Sequence, residues 1–93
     1  MTSGVSVEQA AVRGGIGCCQ TAMRELESAS RDLKRRYQQA GASGWRDQKY
    51  AALGQLVDEC CGALDKPLAE LQDCMEKLND LLRAITEYEQ INL

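Results

Sequence analysis

The side chains with the widest chemical reach are five cysteines, Cys18, Cys19, Cys60, Cys61 and Cys74, four of them in two adjacent pairs. Tetrahedral metal sites use spaced ligands such as Cys-x-x-Cys, because four sulfurs must converge on one ion, whereas adjacent helical residues diverge by about 100°. The chain has no histidine to complete such a set. Cys19, Cys60 and Cys74 fall on apolar helical seams, where a free thiol is a small buried hydrophobe. The spacing favours structural thiols over a disulfide, a metal centre or a thiol-redox site. An odd total leaves at least one thiol free. In an antiparallel hairpin Cys74 lies nearer in register to Cys18 than Cys60 does. A reducing cytoplasm fits this usage.

Catalytic parts are missing. Without histidine no Cys-His or Ser-His pair can form. The Gly14-Gly15-Ile16-Gly17 cluster follows no strand and lacks the Lys-Ser or Lys-Thr of a phosphate loop. Asp58, Glu59, Glu70, Asp73, Glu76 and Asp80 lie mostly off the apolar seams, as on a solvated helix face. No catalytic, cofactor-binding or metal-ligating residue is assigned, no cofactor is expected, and the chain reads as a non-enzyme. Its rival from another class is a cytoplasmic cysteine-based metal-binding or thiol-redox protein.

The elements that carry these residues are helical. At 93 residues, with no phenylalanine and only Trp45, Tyr37, Tyr50 and Tyr88 as aromatics, the chain suits one domain with a core of Leu, Val, Ile, Ala and Cys. A net charge of −3 argues against nucleic-acid binding, which needs a basic surface. The apolar runs are too short to span a membrane, and residues 1–12 lack the basic start and hydrophobic middle of a secretory signal. Export, if it occurs, would bypass the general route.

From Val5 the apolar positions alternate by four and three: Val5, Val12, Ile16, Cys19, Met23, Leu26, Leu33, Tyr37 and Ala40, with polar Gln9 and Ser30 in the same row. This is a coiled-coil-like seam on one helix, about 8–40. Ser30 is best explained by a bond back to the preceding turn. Gly14, Gly15 and Gly17 each cost a helix about 1 kcal/mol relative to alanine, yet the seam keeps its phase across them, which favours one long helix over an irregular start near Cys18. Residues 1–7, with no caps, are expected to fray.

Gly41 and Gly44 interrupt the pattern, Ser43 offers a cap, and the turn is placed at about 41–45. Trp45 then acts as the clasp of the bend, lying across the end of the helix pair. Tyr50, Leu53, Val57, Cys60, Leu64, Pro67, Leu71, Cys74, Leu78, Leu81, Ile85 and Tyr88 form a second seam, widened by Leu68, Met75 and Leu82. Pro67 inside a helix costs roughly 3 kcal/mol and biases Lys66 away from helical geometry. Because the spacing runs through it, the expectation is one helix over about 46–91, kinked near Pro67. The alternative is a three-helix bundle of elements near 19–40, 46–64 and 67–91.

The basic run Arg31 to Arg36 complements the negative end of the first helix. Residues 1–40 carry six Lys or Arg against four Asp or Glu, and the remainder five against ten, or +2 and −5. A hairpin would bring the basic run near Asp58 and Glu59, each exposed pair contributing about 0 to 1 kcal/mol. The widened second stripe exceeds what one helix can cover. The fold expected is therefore all-α, an antiparallel hairpin pairing into a four-helix bundle. The helix-pairing interface is assigned to Ile16, Met23, Leu26, Leu33, Tyr37, Leu53, Val57, Leu64, Leu68, Leu71, Met75, Leu78, Leu82 and Ile85.

A chain just under a hundred residues long with a helix on each side of a central Gly44-Trp45 turn resembles the WXG family of small helical proteins associated with type VII secretion in bacteria. The motif residues are Gly44, Trp45 and Asp47, with Asp47 where the family has glycine, an acidic residue suiting a first helical turn. The family's export motif, a tyrosine followed four residues later by Asp or Glu, is missing: Tyr88 is followed by Asn92 and Tyr50 by Gly54. The resemblance implies a hairpin that pairs with itself, with a second helical hairpin, or with the helical region of a larger secreted effector such as an LXG-type toxin. It implies a secretion partner or adaptor whose partner supplies the signal.

Overall fold

The computed structural model describes residues 6–91, and within them the regular structure is helical: α1 (Val7–Ala42), α2 (Gln48–Ala63) and α3 (Asp65–Ile91). Val5 of the first seam lies outside the described residues. Helix α1 runs unbroken through Gly14, Gly15 and Gly17. Ser6 caps its start by accepting from the Gln9 amide at 3.0 Å, so the cap missing from the sequence reading is present.

The turn lies two residues later than the spacing predicts, with α1 ending at Ala42 and α2 beginning at Gln48. Gly44 adopts φ 101°, the left-handed conformation that glycine takes without steric cost. Its amide donates to the Gly41 carbonyl at 3.0 Å, and the Trp45 amide to Ala40 at 3.3 Å, the paired bonds of a Schellman motif. Ser43 does not cap α2; its hydroxyl donates back to the Gln39 carbonyl at 3.0 Å. The cap is Asp47, whose carboxylate accepts from the Tyr50 amide at 3.0 Å.

Helices α2 and α3 are separated by Leu64 alone, whose φ −82° and ψ −13° stay right-handed. The break falls one turn before Pro67, which has no amide to offer the Ala63 carbonyl. Because Leu64 keeps helical geometry, the apolar row continues in phase across the break.

The chain divides into two compact units. One, made of residues up to 23 and from 70 onward, sets the first part of α1 against α3. A β-carbon placed on Gly15 would lie 3.4 Å from Leu78, and the Gln9 amide group donates to the Thr86 hydroxyl at 3.4 Å, so the segments run antiparallel. Gln9 is the buried polar residue of this unit, beside buried Val12. The other unit, residues 24–69, sets the second part of α1 against α2. It buries Val57 and Cys61, whose thiol donates to the Ser30 carbonyl at 3.8 Å. In each unit two antiparallel segments pack together.

Candidate helix-docking surface

All fourteen residues assigned to helix pairing are buried or half-buried: Val57 is buried, and Ile16, Met23, Leu26, Leu33, Tyr37, Leu53, Leu64, Leu68, Leu71, Met75, Leu78, Leu82 and Ile85 are half-covered. The phase of the second seam differs from the sequence reading. The covered row is Val57, Cys61, Leu64, Leu68, Leu71, Met75, Leu78, Leu82 and Ile85, while Cys60, Cys74, Leu81 and Tyr88 are exposed. Leu68, Met75 and Leu82 thus form the seam rather than widen it. Cys60, Pro67, Cys74, Leu81 and Tyr88, seven residues apart, form the flank.

The unit containing 24–69 is locked by a reciprocal arrangement of two tyrosines and two glycines. The Tyr37 and Tyr50 rings stack with centroids 4.4 Å apart and planes 8° from parallel. The Tyr50 hydroxyl donates to the Tyr37 carbonyl at 3.2 Å. A β-carbon on Gly41 would lie 2.8 Å from Tyr50 Cζ, and one on Gly54 would lie 2.8 Å from Tyr37 Cζ. Each tyrosine therefore covers the glycine four residues after the other. Hydrogen bonding with Tyr50, then burial, raises the Tyr37 phenol above its ordinary 10.0, and the Asp58 charge adds to this. Trp45 tilts against Tyr50 with centroids 5.7 Å apart but stays 41% exposed, so it caps the tyrosine stack and does less of the clasping than its size suggests. The sequence does hold a signal for this lock, the repeated Tyr-x-x-x-Gly at Tyr37–Gly41 and Tyr50–Gly54, one copy on each side of the turn.

The unit formed by 7–23 and 70–91 has two unlike sides. On one, a shallow recess is lined by Glu8, Ala84, Ile85 and Tyr88. On the other, Arg13, Asn79, Leu82, Arg83, Thr86 and Glu87 line a second shallow recess of mixed polar and apolar surface. Following the helical period from Glu8 leads to Ala11, Gly15, Cys18 and Ala22, and from Tyr88 to Leu81 and Cys74. The first side therefore carries mostly small or apolar residues, with Glu8 on α1 and Lys77, paired with Asp73, on α3 as its charged members. Leu81 is 49% exposed on it.

Ion pairs among the described residues lie within single helices: Arg35 with Asp32 at 3.9 Å, Lys77 with Asp73 at 2.9 Å, and Arg83 with Asp80. The hydrogen bond to Asp73 raises the Lys77 pKa. The expected pairing of Arg31 to Arg36 with Asp58 and Glu59 across the hairpin is not among these ion pairs. Asp58 instead lies close enough to Tyr37 to act on its phenol.

The five thiols are unbridged; Cys18, Cys60 and Cys74 are exposed, Cys19 is half-covered and Cys61 is buried. Cys61 takes the seam position that the spacing assigned to Cys60. Among the described residues no three Cys, Asp or Glu side chains converge in a way that could hold a metal ion. Nor is any described helix long and apolar enough to cross a membrane. No protein family matches this chain, and comparison with curated proteins and with solved structures finds no match.

Proposed function

We propose that this chain is a non-catalytic helical interaction protein, a WXG-like partner or adaptor for a type VII secretion effector, whose helix pairs are completed by helices of another subunit. The observation that carries the reading is the poverty of the core. Among the described residues Val12, Val57 and Cys61 are the buried hydrophobic ones, and no large side chain is fully buried. A leucine, isoleucine or methionine fully withdrawn from water contributes about 1.5–3 kcal/mol, and here Ile16, Met23, Leu26, Leu71, Met75 and Leu78 are each only half-withdrawn. Further helices laid on these pairs would complete that burial and form the four-helix bundle that the apolar stripes require.

The Gly44-Trp45 turn and the Asp47 cap support the WXG-like assignment, because they make a tight helical reversal of the kind that layout needs. The test is titration of the chain with the helical region of an LXG-type effector encoded beside it, followed by calorimetry and thermal melting. The expected result is one-to-one binding that sharpens and raises the melt. No heat of binding, from a chain that already melts cooperatively as a monomer, would reject the proposal.

A further inference from the structure

We propose that Cys19 of α1 and Cys74 of α3 form an oxidisable dithiol, a modification site at which a small-molecule disulfide closes a reversible bridge across the helix pair of residues 7–23 and 70–91. The register carries this. A β-carbon on Gly15 would touch the Leu78 side chain at 3.4 Å. Cys19 stands one turn after Gly15 and Cys74 one turn before Leu78, and a four-residue step keeps to the same face of a helix. Because the segments run antiparallel, the two steps travel in the same direction, so Cys19 meets Cys74 as Gly15 meets Leu78. The Gln9–Thr86 hydrogen bond, further along the same pair, agrees with this register within two residues. Helix axes packed about 8–10 Å apart, with α-carbons about 2.3 Å off each axis, bring facing α-carbons to about 4–7 Å, the span a disulfide needs. Cys18, next in sequence, is exposed and lies about 100° away around α1.

The exposures suit a two-step exchange, since Cys74 is exposed and Cys19 half-covered. The Cys74 thiolate attacks one sulfur of the small-molecule disulfide, forming a mixed disulfide and releasing a thiolate. The Cys19 thiolate then attacks the Cys74 sulfur, and the second small-molecule thiolate leaves. The two protein thiols lose two protons and two electrons, and the small molecule gains both to become two free thiols. The bridge encloses the chain from 20 to 73, so it removes much freedom from the opened state. It clasps a unit whose buried hydrophobic residue, among those described, is Val12. A reducing compartment keeps the pair open and an oxidising one closes it. The other unit offers no such site: Cys60 and Cys61 adjoin on α2, and residues 24–42 of α1, which lie against α2, contain no cysteine.

The test is oxidation of the reduced full chain by oxidised glutathione, with the remaining thiols alkylated and the bridge located by peptide mass spectrometry. One bridge per chain is expected, from Cys19 to Cys74, formed at a rate independent of protein concentration and undone by dithiothreitol, with no bridge at Cys60 or Cys61. The bridged chain should melt about 10 °C or more above the reduced one, as followed by circular dichroism. Cys74→Ser, at an exposed position, and Cys19→Ser should each abolish the bridge and the rise in Tm, whereas Cys18→Ser and Cys60→Ser should keep both. Glutathione adducts on the exposed thiols with no bridge, a bridge through Cys18 instead of Cys19, or a bridge that forms only after denaturation would each overturn the proposal. A bridge that leaves the melt unchanged would overturn the clasp.

Discussion

Replacing Gly54 with alanine should destabilise the protein, although on helix propensity alone it should do the reverse. Gly54 lies inside α2, where alanine is favoured over glycine by about 1 kcal/mol. Against that gain, the new β-carbon would sit 2.8 Å from Tyr37 Cζ and 3.2 Å from Cε1, well inside contact distance. The Tyr37 ring cannot swing aside cheaply, because its face is held 4.4 Å from that of Tyr50. Overpacking of this kind costs about 1–3 kcal/mol, and loosening the stacked pair about 0.5–1.5 kcal/mol more. The net effect is a loss of about 1–2 kcal/mol, or about 4–16 °C in Tm for a chain of this length. Gly17→Ala is the control, since nothing lies within 4 Å of its added carbon, and it should raise the melt. Melts at one fixed protein concentration are required, because association also shifts Tm. In a Tyr37→Ala background, Gly54→Ala should turn stabilising, so that the cycle isolates the contact. A Gly54→Ala protein that melts as high as Gly17→Ala would refute the reciprocal lock.

Asp47→Ala should cost about 0.5–2 kcal/mol and Asp47→Asn much less, as read from chemical denaturation, because the side chain acts as the cap of α2. Native alkylation followed by mass spectrometry should find Cys60 modified about tenfold or more faster than its neighbour Cys61, which reacts only when the helix pair opens; equal rates would place Cys61 off the seam. The folded Tyr37 pKa lies above the ordinary 10.0, so its contribution to stability is fully present below that pH and is lost as pH rises through the folded value. Tyr37→Phe should therefore flatten the decline in Tm on the alkaline side while leaving the neutral-pH slope unchanged. Pro67→Ala should raise helical ellipticity by letting α2 and α3 join through Leu64, since an amide returns for the Ala63 carbonyl.

Most of the fold was legible in the sequence because helical periodicity is a local property. The four-three spacing from Val12 to Ala40 identified α1, including its passage through Gly14, Gly15 and Gly17, and every described member of that row is covered. The glycines at 41 and 44 located the reversal; the unbroken spacing around Pro67 led to the expectation of one helix kinked there, whereas α2 and α3 meet at Leu64 in right-handed geometry. Which residue caps α2 was not legible, because Ser43 and Asp47 are both good caps and the Schellman bonds from Gly44 and Trp45 decide where α1 stops.

The sequence by itself determined that this is a helical chain with a reversal near Trp45. Only the tertiary structure decided which apolar row on α2 and α3 is the seam. Cys60, Pro67, Cys74 and Leu81 stand one residue before Cys61, Leu68, Met75 and Leu82, so two neighbouring rows carry comparable hydrophobicity, and no local rule separates them. The choice depends on how the helices are rotated against one another. In residues 24–69 that rotation is fixed by Tyr37 over Gly54 and Tyr50 over Gly41, contacts across the turn whose geometry exists only once the two helices have met.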